Sequence, residues 1–360
     1  MVIKILGAGI SGLTSAIKLS EEDKEVVIYE KNKYVGEHQR ENTQSIRNYE
    51  NREDQLLEFQ KYGIKVDGFR PIYSIEKFAP SGKGMTVFSK KAPMFYVFKR
   101  GNNNHSIDAQ LYKQALKNGV EIKFDTKIAI KDCDIIACGP LFNDGNIYGI
   151  ELKGVDVDPE KILFFMNNDY APAGYIYATP YGKDSLSIAI TSTNKGINLK
   201  ENLEKFIENT EILRTVAKKS NSKHEFNGFA YFNVPESANI GGKLFTGGAA
   251  GFIDPARGFG LKYAIESGIH AANSIVQDKN YDFLWKTDFE DELLEGFKRR
   301  ILIERMDNIG YEKMIWAEEM SAKEYKEKKT PDELEEIIDS LKFDEYLGAW
   351  QKKHDLTKLF

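Results

Sequence analysis

The sequence predicts an α/β protein: one nucleotide-type domain with a parallel sheet, built from separated segments, a β-rich second domain and a helical C-terminal tail. Three observations carry this. The chain opens strand, glycine turn, helix, strand; its middle is dominated by short β-rich runs; and a second glycine cluster near residue 250 leads into a small-residue helix before the composition turns charged. Separated α/β pieces around a β-rich middle are what a nucleotide domain interrupted by a second domain looks like in sequence.

In order, residues 2–6 (VIKIL) read as a buried strand, Ser11 to Ser20 place Leu13, Ala16, Ile17 and Leu19 at helical spacing, and Val26 to Tyr29 is a second strand. Parallel pairing of those strands needs the crossover that the helix supplies. Lys31 to Asp54 is polar and weakly periodic, and reads as loop or exposed helix. From Pro71 to Lys99 β-rich runs follow, then an amphipathic helix from Ile107 to Asn118 stopped by Gly119, a strand at Val120–Phe124, and an apolar strand from Cys133 into Gly139. Residues 147–192 are strand-like, with a hairpin turn at Gly182-Lys183-Asp184; Asn198 to Lys219 reads as one helix, and Leu261 to Ile275 as another. Beyond Asp278 the chain is charged and helical, punctuated by Pro331.

Composition narrows the function classes. With 360 residues, two domains are the default, each large enough for a core. A net charge of −5 offers no bulk basic footprint for nucleic acid. No apolar run is long enough to span a bilayer, and the N-terminal apolar stretch lacks a basic leader and is interrupted by glycines, so neither an anchor nor a secretion signal is expected. Cys133 and Cys138, five apart, form neither a disulfide framework nor a CxxC pair, which suits a reducing cytoplasm. The absence of HExxH, CxxC and an ordered Ser-His-Asp set leaves hydrolytic and metal chemistry without a candidate motif.

Gly7-Ala8-Gly9-Ile10-Ser11-Gly12 satisfies G-x-G-x-x-G between a strand and a helix, and Glu30 closes the second strand eighteen positions beyond Gly12. That context is the dinucleotide fingerprint. Gly7 permits the tight turn, Gly9 lets backbone N–H groups approach a pyrophosphate, and Gly12 lets the helix pack on the strands. The helix N-terminus presents free donors and the positive end of its dipole. Glu30 is placed to accept from ribose hydroxyls. The motif alone leaves FAD and NAD open.

The run Thr246-Gly247-Gly248-Ala249-Ala250-Gly251-Phe252-Ile253-Asp254-Pro255-Ala256-Arg257-Gly258-Phe259-Gly260 leads into LKYAIESGIHAANSI. Here the chain resembles the geranylgeranyl reductase family of FAD-dependent oxidoreductases, within the wider aromatic-hydroxylase-like flavoproteins. Those proteins carry a late G-D-A-A-G…P…G-x-G segment followed by a helix ending S-G-x-x-A-A, and Ser267, Gly268, Ala271 and Ala272 stand in register with it. Pro172 to Pro180 (PAGYIYATP) resembles the family's P-x-x-Y-x-W-x-F-P motif, with Tyr177 for Trp and Thr179 for Phe. The resemblance covers about residues 1–275 and departs at Gly248, where the family has Asp. It implies a Rossmann-type FAD-binding domain made of 1–70, 100–145 and 240–278, a substrate domain made of 71–99 and 146–239, and a helical C-terminal region from 279 to 360. The implied FAD-binding residues are Gly7, Ala8, Gly9, Ile10, Ser11, Gly12, Glu30, Lys31, Arg100, Gly139, Gly248, Ala249, Gly258, Phe259, Gly260 and Leu261. Tyr175 and Tyr177 are candidate proton donors, and core packing reads equally well for both.

The implied chemistry is hydride transfer from reduced flavin to a C=C bond of a prenyl or other apolar substrate. A flavin monooxygenase or halogenase-like enzyme on the same fold is one alternative, and a non-catalytic dinucleotide-binding protein is another. With one full fingerprint there is no separate NAD(P)H domain, so ferredoxin and NAD(P)H are both open as electron donors. The aromatic stretch Met94-Phe95-Tyr96-Val97-Phe98, between Lys90, Lys91, Lys99 and Arg100, reads either as a membrane-interfacial face for a cytoplasmic protein or as a sheet strand with charged ends. His38, in the loop after Glu30, reads as solvent-facing.

Overall fold

The computed structural model describes residues 2–39, 42–48, 53–321 and 342–360. The opening unit is β1 (Ile3–Leu6), α1 (Ile10–Glu21) and β2 (Val26–Tyr29), with the strands parallel and Ile3 opposite Val26. Ile5, Ile28, Leu13, Ala16 and Leu19 are wholly buried, as the spacing requires. Within 31–54, expected as loop or exposed helix, stands a strand, β3 (Thr43–Arg47), with Ile46 buried. Its pairing with a distant strand, rather than a local pattern, makes it a strand. Residues 40–41 and 49–52 of that stretch lie outside the described residues. Asp54 caps α2 (Gln55–Lys61) by accepting from the Leu56 and Leu57 amides.

Next come β4 (Arg70–Ile72), β5 (Ser74–Phe78), β6 (Gly84–Phe88) and β7 (Phe95–Lys99). Residues 71–99 divide between two sheets. β7 is the centre of a three-stranded antiparallel sheet ordered β3-β7-β4, whereas β5 and β6 join a larger sheet. Phe95, Tyr96, Val97 and Phe98 are all buried, which corrects the interfacial reading of this stretch. Tyr96 and Phe98 enter the core of the nucleotide domain, while Phe95 and Val97 enter a second cluster on the opposite face. A strand covered on both faces reads as a continuous apolar run.

Ser106 caps α3 (Ile107–Lys117) through the Ala109 amide. β8 (Glu121–Lys123) follows, and then β9, which is only Ile135–Ile136. The longer strand expected from Cys133 to Gly139 stops because its partner β1 ends at Leu6, opposite Ile136.

The second domain is a seven-stranded sheet containing β10 (Gly145–Lys153), β11 (Lys161–Phe165), β12 (Gly174–Pro180), β13 (Ser185–Ser192) and, beyond two helices, β14 (Ser222–Ala230). Its order is β14-β10-β13-β12-β11-β5-β6, antiparallel except for β11 with β5. The β12–β13 hairpin turns at 182–184 as expected. One sheet face buries Ile150, Ile176, Ile188 and Ile190 against Leu203, Phe206 and Leu213 of α4 (Leu199–Asn209) and α5 (Glu211–Lys219). These are two helices rather than one, broken at Thr210, whose ψ of 104° is extended.

β15 (Asn239–Ile240) and β16 (Lys243–Phe245) return the chain to the first domain, followed by α6 (Leu261–Gln277). The C-terminal region adds α7 (Tyr281–Trp285), α8 (Asp291–Arg305), α9 (Asn308–Ser321) and α10 (Phe343–Lys353). Pro331 lies outside the described residues. The nucleotide-domain sheet is ordered β15-β16-β9-β1-β2-β8, parallel except for the β15–β16 hairpin. From β1 the chain moves outward to β2, and later segments add β9 and β16 on the other side. The order therefore reverses between β1 and β9, and ligands of such sheets bind at the carboxyl ends of the strands at that point.

Candidate dinucleotide and substrate site

The turn after β1 is dictated by crowding. Gly7 has φ +103°, and a Cβ there would meet the Ala137 carbonyl at 2.5 Å; at Gly12 one would meet the Gly7 carbonyl at 2.1 Å. Gly9 differs, since a Cβ there would have nothing nearer than the Ala137 oxygen at 3.8 Å. The protein itself leaves that space open, as a cradle for an approaching ligand does. Gly9 is also the N-cap of α1, with no side-chain cap and no acidic residue in the first turn, so the leading N–H groups are left for an anion. Glu30 is buried and oriented: its Oε2 accepts from the Ala8 amide at 2.8 Å and its Oε1 from the Asn32 amide at 2.9 Å. Each oxygen keeps lone-pair capacity for a ribose hydroxyl.

The late glycine segment joins this cradle directly. Thr246 Oγ1 donates to Ser11 Oγ at 3.1 Å, and the Gly247 amide donates to Ser267 Oγ at 2.9 Å. α6 crosses α1 so closely that a Cβ on Gly268 would lie 2.6 Å from the Ser11 carbonyl, and Ser15 Oγ donates to the Gly268 carbonyl at 3.0 Å. Gly248 faces Pro140, which a Cβ would meet at 3.3 Å. The loops after β1, β9 and β16 thus meet at one sheet edge. α6 begins at Gly260, again without a side-chain cap or a first-turn acid.

Between those glycines the chain is held by charge. Asp254, wholly buried, accepts at Oδ1 from the Ala256 and Arg257 amides, both at 2.9 Å, and pairs at Oδ2 with Arg47 at 3.0 Å and Arg257 at 3.4 Å. Burial opposes its ionisation, but the Arg257 and Arg47 guanidiniums hold the carboxyl below its ordinary range. Arg47 also reaches Glu292 at 3.3 Å, and Glu292 binds Lys262 at 2.6 Å. Glu266 is buried with one oxygen on Gln55 Nε2 at 3.1 Å; desolvation pushes its carboxyl well above the usual range.

On the β12 face opposite the helices stand Tyr175, Tyr177 and Thr179. The Tyr175 hydroxyl donates to the Arg257 carbonyl, tying the substrate sheet to the late glycine segment. Burial raises both phenols, Tyr177 to about 12. Phe164 lies tilted against Tyr175 with ring centroids 5.0 Å apart, and Phe259 lies 5.7 Å from Phe95. The half-buried Lys99 pairs with the buried Glu151 on the same side of the sheet, with Ser185 donating to Glu151 at 2.8 Å. Arg300 of α8, 3% exposed, donates to the carbonyl of Ala173, which has φ +52° at the entry to β12.

The sequence-predicted residues Gly7 to Gly12, Glu30, Gly139, Gly248, Ala249 and Gly258 to Leu261 all lie on this edge or on the segment leading from it to Tyr175. Lys31 is exposed just beyond Glu30, and His38 is exposed in the following turns. Arg100 is buried at the end of β7, where its guanidinium is engaged by both Asp108 oxygens at 2.7 and 2.9 Å and by Gln44. Its visible partners are protein groups. Sequence reasoning missed Arg47, Glu151 and Arg300, because each acts across more than 50 positions of chain and leaves no local pattern. Among the described residues no cluster suited to holding a metal occurs, and no helix is long and apolar enough to cross a membrane.

Fold and site together define a dinucleotide-binding protein in which a Rossmann-type domain is coupled to an antiparallel sheet. Residues 5–53 match the NAD(P)-binding Rossmann-like domain, and residues 146–223 match the geranylgeranyl reductase catalytic domain. Over those residues the chain is similar to the geranylgeranyl reductases. It is 28% identical over 208 residues to a digeranylgeranylglycerophospholipid reductase of Thermoplasma acidophilum, covering 56% of this chain and 50% of that protein, so that alignment spans about half the relative's length. A protein of the same name from Methanocaldococcus jannaschii is 24% identical over 359 residues, covering 85% of this chain and 87% of the relative. Among solved structures, a geranylgeranyl bacteriochlorophyll reductase-like protein of Thermoplasma acidophilum superposes with a TM-score of 0.72 at 20% identity, covering 97% of this chain and all of that one. A flavin-dependent brominase shares the fold with a TM-score of 0.63 at 16% identity over 95% of this chain and 99% of its own.

Proposed function

We propose that this protein is an FAD-dependent oxidoreductase that reduces carbon–carbon double bonds in the prenyl chains of a lipid. The observation that carries the reading is the path of the late glycine segment. It starts on Ser11 beside the first glycine turn and ends with Arg257 and Gly258 against the Tyr175 hydroxyl of the substrate sheet. One extended dinucleotide fits such a path, with its phosphates at α1 and its ring at the start of α6. Gly9 to Gly12 would hold the pyrophosphate with backbone N–H groups, Glu30 the ribose, and Gly258 to Leu261 the ring edge. The relatives' printed activity and the catalytic-domain match support the substrate class.

Bound FAD, once reduced by an external electron donor, would supply the hydride. The chain's own part is to orient the alkene and hold a proton. Tyr175 has its hydroxyl hydrogen committed to the Arg257 carbonyl, whereas the Tyr177 hydroxyl makes no hydrogen bond among the described residues. Tyr177 is thus the better placed donor of the two. The face around them, with Phe164 and Ile162, supplies apolar walls.

The test is to titrate the purified protein with FAD, reduce the complex anaerobically with dithionite, and follow a geranylgeranyl ether lipid by mass spectrometry. A gain of two hydrogens per double bond is expected. A colourless protein that cannot be reconstituted with FAD overturns the reading. Oxygen uptake on addition of NAD(P)H would instead favour an oxygenase.

A further inference from the structure

A cavity of about 400 Å³ opens where β4, β7, the loop after β7 and the hairpin end of β12 meet; Gly68, Arg70, Lys99, Asn103, His105 and Tyr181 line it. Two cations lie over one aromatic ring: the Arg70 guanidinium is 4.9 Å and the Lys99 ammonium 5.0 Å from the Tyr181 centroid. Lys99 is paired with Glu151. Arg70 donates to the Phe69 carbonyl at 3.2 Å, and no ion pair engages it among the described residues. Asp67 is the carboxylate whose charge reaches Tyr181. Behind Lys99, the buried Glu151 Oε2 and Ser187 Oγ have no hydrogen-bond partner in the structure. A guanidinium fork, an ammonium, an amide and an imidazole around one hollow form a donor set for an oxyanion with several acceptor oxygens.

The cavity also has a fixed relation to the site. Tyr175, Tyr177, Thr179 and Tyr181 alternate onto one face of β12, so the six steps from Tyr175 to Tyr181 span about 20 Å at the rise of a strand. Tyr181 at one end and Phe259 of the late glycine segment at the other both pack on the cluster of Ile72, Phe95, Val97 and Ile162. An apolar wall thus connects the cationic hollow to the segment beside Tyr175.

We propose that this cavity binds the phosphate of a phosphorylated isoprenoid lipid, fixing which double bonds reach the redox end of the wall. This deepens the function proposed above and rests on it for the identity of the tail. Arg70 is the primary contact, with Lys99, Asn103 and His105 as supporting donors.

The test uses the full-length protein and two probes in detergent micelles: a geranylgeranyl-chain glycerophospholipid, and the same lipid without its phosphate. Arg70, exposed and outside any ion pair among the described residues, is replaced as Arg70→Gln. Phospholipid binding is expected to weaken about tenfold or more, the worth of a charge-assisted contact, while the phosphate-free lipid changes less than twofold. Displacement of the phospholipid by millimolar inorganic phosphate would assign the hollow to phosphate as such; failure of inorganic phosphate to compete, with the Arg70→Gln effect intact, would assign it to the lipid-borne headgroup. Equal effects of Arg70→Gln on both lipids, or none on either, overturn the proposal, as does equal affinity of the unaltered protein for the two. Because binding is read apart from reduction, a protein that shows the phosphate selectivity yet leaves the double bonds intact keeps the anion site and loses the reductase reading.

Discussion

At the scale of single residues, Gly9 and Gly12 of the first turn separate folding from binding. Gly12→Ala drives a methyl into the Gly7 carbonyl, which a Cβ would approach to 2.1 Å, and should destabilise the fold by about 1–3 kcal/mol or more. Gly9→Ala meets only the Ala137 oxygen at 3.8 Å and should leave the melting temperature nearly unchanged. Its methyl would occupy the space a pyrophosphate needs, so FAD affinity should fall about tenfold or more. Thermal melts beside flavin titrations of the two variants check both expectations. If Gly9→Ala binds FAD as tightly as the unaltered protein, the cradle is not the cofactor's. Tyr177→Phe removes the proposed proton donor while keeping the ring. A kcat lower by about a hundredfold, with FAD binding unaltered, is the expected result. Unchanged turnover would return Tyr177 to a packing role.

At the scale of elements, the C-terminal helix is held by a small set of specific contacts. Trp350 stacks 5.1 Å from Phe232 and donates to its carbonyl at 2.9 Å, and Gln351 donates to the Val234 carbonyl at 2.6 Å. His354, fully buried at the end of α10, lies 2.9 Å from the Trp350 carbonyl and 2.8 Å from the Asp144 carboxylate. His354→Ala removes the buried hydrogen bond to Asp144, leaving that carboxylate in the interior with the mostly exposed Lys353 beside it, and should cost about 2 kcal/mol in denaturant unfolding. A change below 1 kcal/mol would show that α10 docks through its aromatic stack alone.

Elements with a local pattern were legible in the sequence. The opening βαβ unit, the Ser106-capped helix and the 182–184 hairpin all stand where periodicity and turn residues put them. The turn at Gly7 and the helix packing at Gly12 were legible for the same reason, whereas the crowding of Gly7 by Ala137 and of Gly268 by Ser11 was not. β3 and the short β9 were not legible, because each is decided by a distant partner strand or by where that partner ends; the helix break at Thr210 was not either, since no glycine or proline marks it. Met94 to Phe98 shows the ambiguity of a short apolar run. The same letters describe an interfacial patch or a doubly covered strand, and only the neighbours β3 and β4 decide.

At the scale of the whole molecule, buried weak acids set an alkaline limit. Burial raises the Cys133 thiol to about 11 and the Tyr177 and Tyr311 phenols to about 12, each above its ordinary value. The folded state therefore holds these protons more tightly than the unfolded chain. Their contribution is fully present below about pH 9 and is lost as pH rises through 11 to 12. Urea midpoints should be level from pH 7 to 9 and fall above pH 10, by at least about 1 kcal/mol in unfolding free energy at pH 11. A midpoint that holds through pH 11.5 would contradict the burial of these groups.

The seat of Gly268 on the Ser11 carbonyl has a consequence for biosynthesis. The first glycine turn is made within the first dozen residues, yet the helix that braces it leaves the ribosome more than two hundred and fifty positions later. Until then the amino-terminal segment waits without its brace while the antiparallel sheet is synthesised and can close on itself. Contacts of such separation slow folding, so nascent chains halted before α6 should be unable to capture flavin, and protection of the amino-terminal turn from protease should arrive late and all at once.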